Sequence, residues 1–131
     1  MSGVCGMVMW DGRRVEEGWL LRMMEAAAYR GPDGLYAHTA GPVGMGYLAH
    51  RVTPESLGEQ QPLVHGPSGV VVVADLRLDN REELCGALGA PAESGDGELV
   101  LAAYLRWGSE WAEHLLGDFA FAIWDARHQK L

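Results

Sequence analysis

The stretch MSGVCGMV, residues 1–8, alternates small and apolar residues from its second position onward. Continued through Met9 and Trp10 to Asp11-Gly12-Arg13, it reads as a strand that starts with the chain and ends in a turn. A small residue after the initiator Met favours removal of that Met, which would put a hydroxyl and a free α-amine together on Ser2. Cys5, three positions on, is the other nucleophile within the strand.

Working outward, Glu16 to Tyr29 places Trp19, Leu20, Met23, Met24, Ala27 and Ala28 on one helical face. Gly and Pro in RGPDG, residues 30–34, stop that helix, and the motif shapes a tight turn. Gly41 to His50 is a second strand whose glycines imply close approach of another backbone. The polar, Pro- and Gly-rich segment from Thr53 to Gly69 reads as a loop. Val70 to Leu76, VVVVADL, is a β-branched run suited to burial on both faces. Asn80, with Glu83 three residues on, has the capping-box pattern for a helix through Leu88. Asp96 is placed to cap the next helix, with Leu99, Ala102, Ala103 and Leu105 on its inner face. EWAEHLL is a further short helix, and Phe119, Phe121 and Ile123 alternate along a last strand.

At 131 residues, 48% of them apolar, the chain is long enough to bury a core, and one domain spanning 1–131 is expected. Its net charge is −8 with a single lysine, Lys130, and scattered arginines, so no basic stripe is available for nucleic acid or an anionic membrane. No apolar run is long enough to span a bilayer and no secretory signal opens the chain, so a cytoplasmic protein is expected. Cys5 and Cys85 lack any CxxC or Cys/His ligand spacing; two buried thiols, with neither metal nor disulfide, are the simpler reading. The five dispersed histidines form no serine-histidine-acid pattern and read as surface or satisfied core residues.

Four segments in order resemble the glutaminase half of asparagine synthetase and its relatives: MSGVCGM, RGPDG, GDGELVLAAYLRWG (95–108) and GDFAFAIWD (117–125). QQPL from Gln60 and LDNREEL from Leu78 extend the likeness over most of the chain. The resemblance implies an α+β fold, the N-terminal-nucleophile hydrolase αββα sandwich of two antiparallel sheets. A further strand is expected just after DARHQKL, so the domain would lack its last strands and Leu131 would not be its natural end.

In that family a cysteine at the second position attacks the amide of glutamine with its own α-amine as base. The family start, Met-Cys-Gly-Ile-x-Gly, overlays MSGVCG without a gap and sets Ser2 under the nucleophile and Cys5 under a variable position. Asp75 and Leu76 stand where the resemblance implies the Asn-Gly of an oxyanion hole. Val52 stands where it implies an arginine for the substrate carboxylate, with Arg51 adjacent but directed to the other face of a strand. Asp96 matches the acidic residue that holds the substrate α-amine, and it serves equally well as a helix cap.

The pattern is closest to β-lactam synthetase and lasso-peptide macrolactam synthetases, relatives that keep the fold and have lost glutamine hydrolysis. The expectation is therefore a pseudo-glutaminase domain of an ATP-dependent amide-forming enzyme. No SGGxDS pyrophosphate loop occurs, so this chain needs no cofactor of its own, and ATP with Mg is implied for a synthetase domain or subunit as partner. Two alternatives stand beside it. One is an active glutamine amidotransferase using Ser2, with glutamine as its ligand; the other is a non-catalytic domain that forms homo-oligomers through an exposed sheet edge.

Overall fold

The computed structural model describes residues 1–131 and lays them out as two three-stranded antiparallel sheets stacked face to face between helices. The first sheet has β1 (Gly3–Val8) and β2 (Gly34–Ala40) on either side of β3 (Val43–Ala49). The second places β5 (Val70–Leu78) between β4 (Leu63–His65) and β6 (Gly117–Asp125). Outside the first sheet lies α1 (Glu17–Ala26); outside the second lie α3 (Arg81–Leu88), α4 (Asp96–Trp107) and the 3-10 segment Gly108–His114. This is an α+β sandwich compatible with the expected αββα arrangement.

Alternation along β5 explains the layering. Val71 and Val73 pack with Val43, Met45, Tyr47 and Trp124 between the sheets. Val70, Val72 and Ala74 face the opposite way, onto Val100, Ala103 and Trp111. The β-branched run is thus buried on both faces, as its composition requires.

Several local expectations need correction. Gly44 and Gly46 in β3 admit side chains rather than another backbone: a Cβ at Gly46 would lie 2.7 Å from Met24 Sδ and 2.9 Å from Cys5 Sγ. The buried stripe of α1 narrows to Leu20 and Met24, leaving Trp19 and Met23 exposed. In α4 the inner face is Leu99, Val100 and Ala103, and Leu105 turns outward. Only the EWAEH of EWAEHLL is helical, as part of the 3-10 segment Gly108–His114. Between Thr53 and Gly69 the supposed loop holds a short helix, α2 (Pro54–Gly58), and the edge strand β4. Thr53 and Ser56 cap α2 reciprocally, so a polar run makes a helix without an apolar stripe. Gly34 to Ala40 forms β2, whose alternation was hidden by His38 and Thr39.

Neither expected cap forms. Asn80 turns its amide to the His114 carbonyl and the Leu116 N–H, tying α3 to the segment before β6. At α4 the cap position is Gly95, whose N–H is taken by Glu98; Asp96 lies one residue inside the helix. No helix is long and apolar enough to cross a membrane.

Candidate functional site

The antiparallel register that pairs Gly3 with Leu48 brings the start of the chain alongside the end of β3. Ser2 therefore sits at one end of the space between the sheets, almost fully buried. On the facing sheet, Asp75 follows Val71 and Val73 by even steps and so points into the same space. The Ser2 N–H donates to Asp75 Oδ1 at 2.9 Å. The Ser2 hydroxyl accepts from the His50 N–H at 3.0 Å and lies 3.0 Å from Tyr47 Oη and 3.3 Å from the His50 carbonyl. The terminal ammonium of Met1, a donor only, reaches His50 Nδ1 at 3.0 Å, which fixes that nitrogen as the acceptor.

The RGPDG turn supports this end of the sheet. Arg30 donates to the Ser2 carbonyl at 3.3 Å, and Asp33 accepts the Arg51 N–H at 2.7 Å. Gly31 is packed against the backbone of Leu48, where any Cβ would stand 2.8 Å from its Cα.

Beside Ser2 opens a cavity of about 700 Å³, within the usual range for small-ligand sites, with Tyr47, Val52, Glu59, Asp75 and Asp96 among its walls. Glu59 is 7% exposed. Its Oε1 accepts the Gly97 N–H of α4 at 2.7 Å and Gln61 Nε2 at 3.2 Å. Gln61 in turn pairs with both backbone groups of Ala74, so the segment before β4 is clamped to β5. Burial raises the Glu59 carboxyl above its ordinary range, against the opposing pull of those two hydrogen bonds. Burial also raises the Tyr47 phenol, with the bond to Ser2 working the other way.

Of the residues singled out from sequence, Ser2, Asp75 and Asp96 come together around this cavity and Cys5 and Arg51 do not. Asp96 is already engaged: one oxygen takes the Leu78 N–H at 3.0 Å and the other pairs with Arg81, which also binds the carbonyls of Ala92 and Ser94. Arg51 reaches over the ring of Tyr36 at 5.5 Å and donates to the Asp33 carbonyl, while Val52 faces the cavity. Cys5 occupies the opposite face of β1 beside Met24, with its thiol pushed up by burial and therefore less available as thiolate. Leu76 lines the cavity next to Asp75. No group of three or more His, Cys, Asp or Glu side chains is arranged to hold a metal ion.

Comparison with known proteins decides what this arrangement is related to. A family model described as a glutamine amidotransferase domain matches residues 1–131. The chain belongs to the glutamine amidotransferase domain family. Glutamine-hydrolyzing asparagine synthetase 3 of Bacillus subtilis is 29% identical over 138 aligned positions, covering 100% of this chain and 22% of that protein. Amidase chyE of Penicillium rubens is 28% identical over 111 positions, 82% of this chain and 16% of the amidase. A putative glutamine-hydrolyzing asparagine synthetase of Mycobacterium tuberculosis is 47% identical over 55 positions, 41% of this chain and 8% of that protein. The glutamine amidotransferase domain here thus spans less than a quarter of each of these relatives. It is related to the amidotransferase part of asparagine synthetases.

Tyr47, Glu59 and Gln61 also build the amidotransferase cavity, and sequence reasoning did not assign them there; Arg30 supports the strand end beside it, as expected of a turn near the pocket. For Tyr47 a signal existed, since Val43, Met45, Tyr47 and Ala49 share one face of β3. Glu59 lay in a polar segment read as solvated loop, with nothing in its spacing to mark it as buried.

Proposed function

We propose that this chain is the glutaminase-like domain of an ATP-dependent amide-forming enzyme in which glutamine hydrolysis has been lost. The observation that carries the reading is the contact between Asp75 and Ser2. Once Met1 is removed, the Ser2 α-amine would stand 2.9 Å from a carboxylate. That neighbour favours the ammonium form, which has no lone pair to take a proton from the hydroxyl. In the family's register the same carboxylate replaces the asparagine of the oxyanion hole, where it would repel charge that an amide would accommodate; losing one oxyanion donor alone costs about 10²–10³ in rate.

Two further features support the reading. The Ser2 hydroxyl is held by His50 and Tyr47 and, unlike a thiol, is far from ionising near neutrality. At the position of a carboxylate-gripping arginine stands Val52, and Arg51 is bound elsewhere. The cavity does not suit ATP, since the carboxylates of Glu55, Glu59, Asp75 and Asp118 border it. Adenylation therefore belongs to a synthetase domain or subunit as partner, with ATP and Mg held there. The reading also sets the protein in the cytoplasm, where such biosynthetic ligases find ATP.

Stepwise restoration tests this. Ser2→Cys alone is expected to leave the chain silent, and Ser2→Cys with Val52→Arg and Asp75→Asn to release glutamate from glutamine. Release by Ser2→Cys alone would mean that the pocket never lost competence and that only the nucleophile changed.

A second reading, self-association, is favoured by the outer edge of β6. That edge has no strand partner, and Phe119 and Phe121 are 40% and 37% exposed along it. Light scattering of a monodisperse monomer would remove that reading.

A further inference from the structure

We infer that Tyr47 is a positioning residue for the side chain at position 2: its phenol donates to Ser2 Oγ and, with the His50 N–H, forms a pair of donors that saturates a hydroxyl and favours ionisation of a thiol. The inference rests on the reading that Ser2 no longer attacks glutamine, and it names the group that holds the hydroxyl idle.

A serine hydroxyl carries one proton and two lone pairs. The His50 N–H, 3.0 Å from Ser2 Oγ, can only donate and so takes one lone pair. The His50 carbonyl, at 3.3 Å, can only accept, whereas Tyr47 Oη, at 3.0 Å, can do either. Burial decides the direction. Tyr47 is 4% exposed, and Ser2 Oγ is the one hydrogen-bond partner its phenol has in the chain. Were Ser2 to donate to it, the phenol proton would be left without an acceptor, which buried hydroxyls avoid. Tyr47 therefore donates, Ser2 donates to the His50 carbonyl, and both lone pairs of Ser2 Oγ are taken.

Packing, independent of this bond, aims the phenol. Tyr47 faces the inter-sheet core with Met45, Ala49 and Val73, and it pairs across the ladder with Val4. An oxygen saturated in this way must break a hydrogen bond before it can attack carbon. Two donors on one atom also stabilise negative charge there. For a hydroxyl that gain is too small to matter near neutrality, but a thiol, with an ordinary pKa of about 8.5, lies within its reach.

The charged groups around position 2 act from other directions. Asp75 on β5 opposes an anion, the α-ammonium exposed by loss of Met1 favours one, and Arg30 adds positive charge at the Ser2 carbonyl. The His50 ring faces Met1, and Glu59 is turned to Gly97 and Gln61. Asp96 is paired with Arg81, and Arg51 is held by Asp33 and Tyr36. Removing the Tyr47 hydroxyl leaves all of these in place, so a comparison of two variants reads the phenol alone.

Alkylation by iodoacetamide across a pH series, in the full chain carrying Ser2→Cys with and without Tyr47→Phe, provides the test. Peptide mapping separates the introduced thiol from Cys5 and Cys85. With Tyr47 in place the introduced thiol should hold roughly ten-fold more thiolate, at a given pH below its pKa, than with Tyr47→Phe. A purely structural Tyr47 would lower the urea midpoint on substitution and leave that titration where it was. Tyr47→Met, which fills the core without a donor, makes the same comparison should Tyr47→Phe fail to fold. Equal titrations, or more thiolate without the phenol, would overturn the inference. Glutamate release by the unaltered chain would instead overturn the reading of Ser2 as idle, while the two thiol titrations still decide the role of Tyr47.

Discussion

Glu59 and Ser2 show how single residues set the character of the cavity. Because burial raises the Glu59 carboxyl, the folded state holds its proton to higher pH than the unfolded chain, whose glutamates titrate near about 4.3. Its contribution therefore weakens stability progressively as pH climbs above that value. Glu59→Gln should flatten this part of the profile, seen as urea midpoints that fall less between about pH 4 and 7 than those of the wild type. Ser2→Ala leaves the His50 N–H without its side-chain acceptor, and a loss of about 1–3 kcal/mol in urea denaturation is expected. Ser2, Asp75 and Asp96 were legible as site residues because each sits in a motif with fixed register. Arg51 and Cys5 were named on adjacency and reactivity; Arg51 lies beyond the end of β3 and is held by Asp33 and Tyr36, and strand alternation turns Cys5 away from the cavity. Glu59 was illegible because its burial depends on a distant contact, the Gly97 N–H, that no local spacing announces.

At the scale of elements, α1 and β3 were legible as a helix and a strand, yet their fit depends on glycines whose role sequence alone misassigned. Gly46→Ala would press a methyl onto Met24 and Cys5, and overpacking of this kind costs about 1–3 kcal/mol. Met24→Ala in the same chain should give less than the sum of the two single losses, a coupling readable by chemical denaturation. The turn after β6 depends on Asp125, 1% exposed, which accepts from Tyr104, Arg127 and His128. Burial alone would raise this carboxyl, but those hydrogen bonds prevail and hold it well below the usual carboxylate range. With the folded value depressed, its stabilisation is complete above the unfolded value near about 3.9 and is lost as pH falls below it. Asp125→Asn should lower stability at neutral pH and make the acid limb shallower between about pH 2 and 5, measured by thermal unfolding. Segments rich in Val or Leu revealed their element type, whereas α2 and β4 were missed because caps and a side-chain clamp, rather than apolar periodicity, hold them.

For the whole molecule, the ordered motifs carried both the sandwich and the family, because each fixes a junction: chain start to β3, turn to strand end, helix α4 to β5. The inter-sheet core formed by Val43, Met45, Val71, Val73 and Trp124 holds the two sheets at the spacing that places Ser2 against Asp75. The architecture presents a hydroxyl held by His50 and Tyr47, a Ser2 backbone N–H facing a carboxylate and an acid-lined cavity. Loss of hydrolysis is the central proposal. Glutamate release from glutamine by the unaltered chain, with removal of Met1 verified by intact mass and the fold by near-ultraviolet circular dichroism, tests it most directly. No glutamate above the uncatalysed background is the expected result, and turnover that disappears on Ser2→Ala would contradict the account.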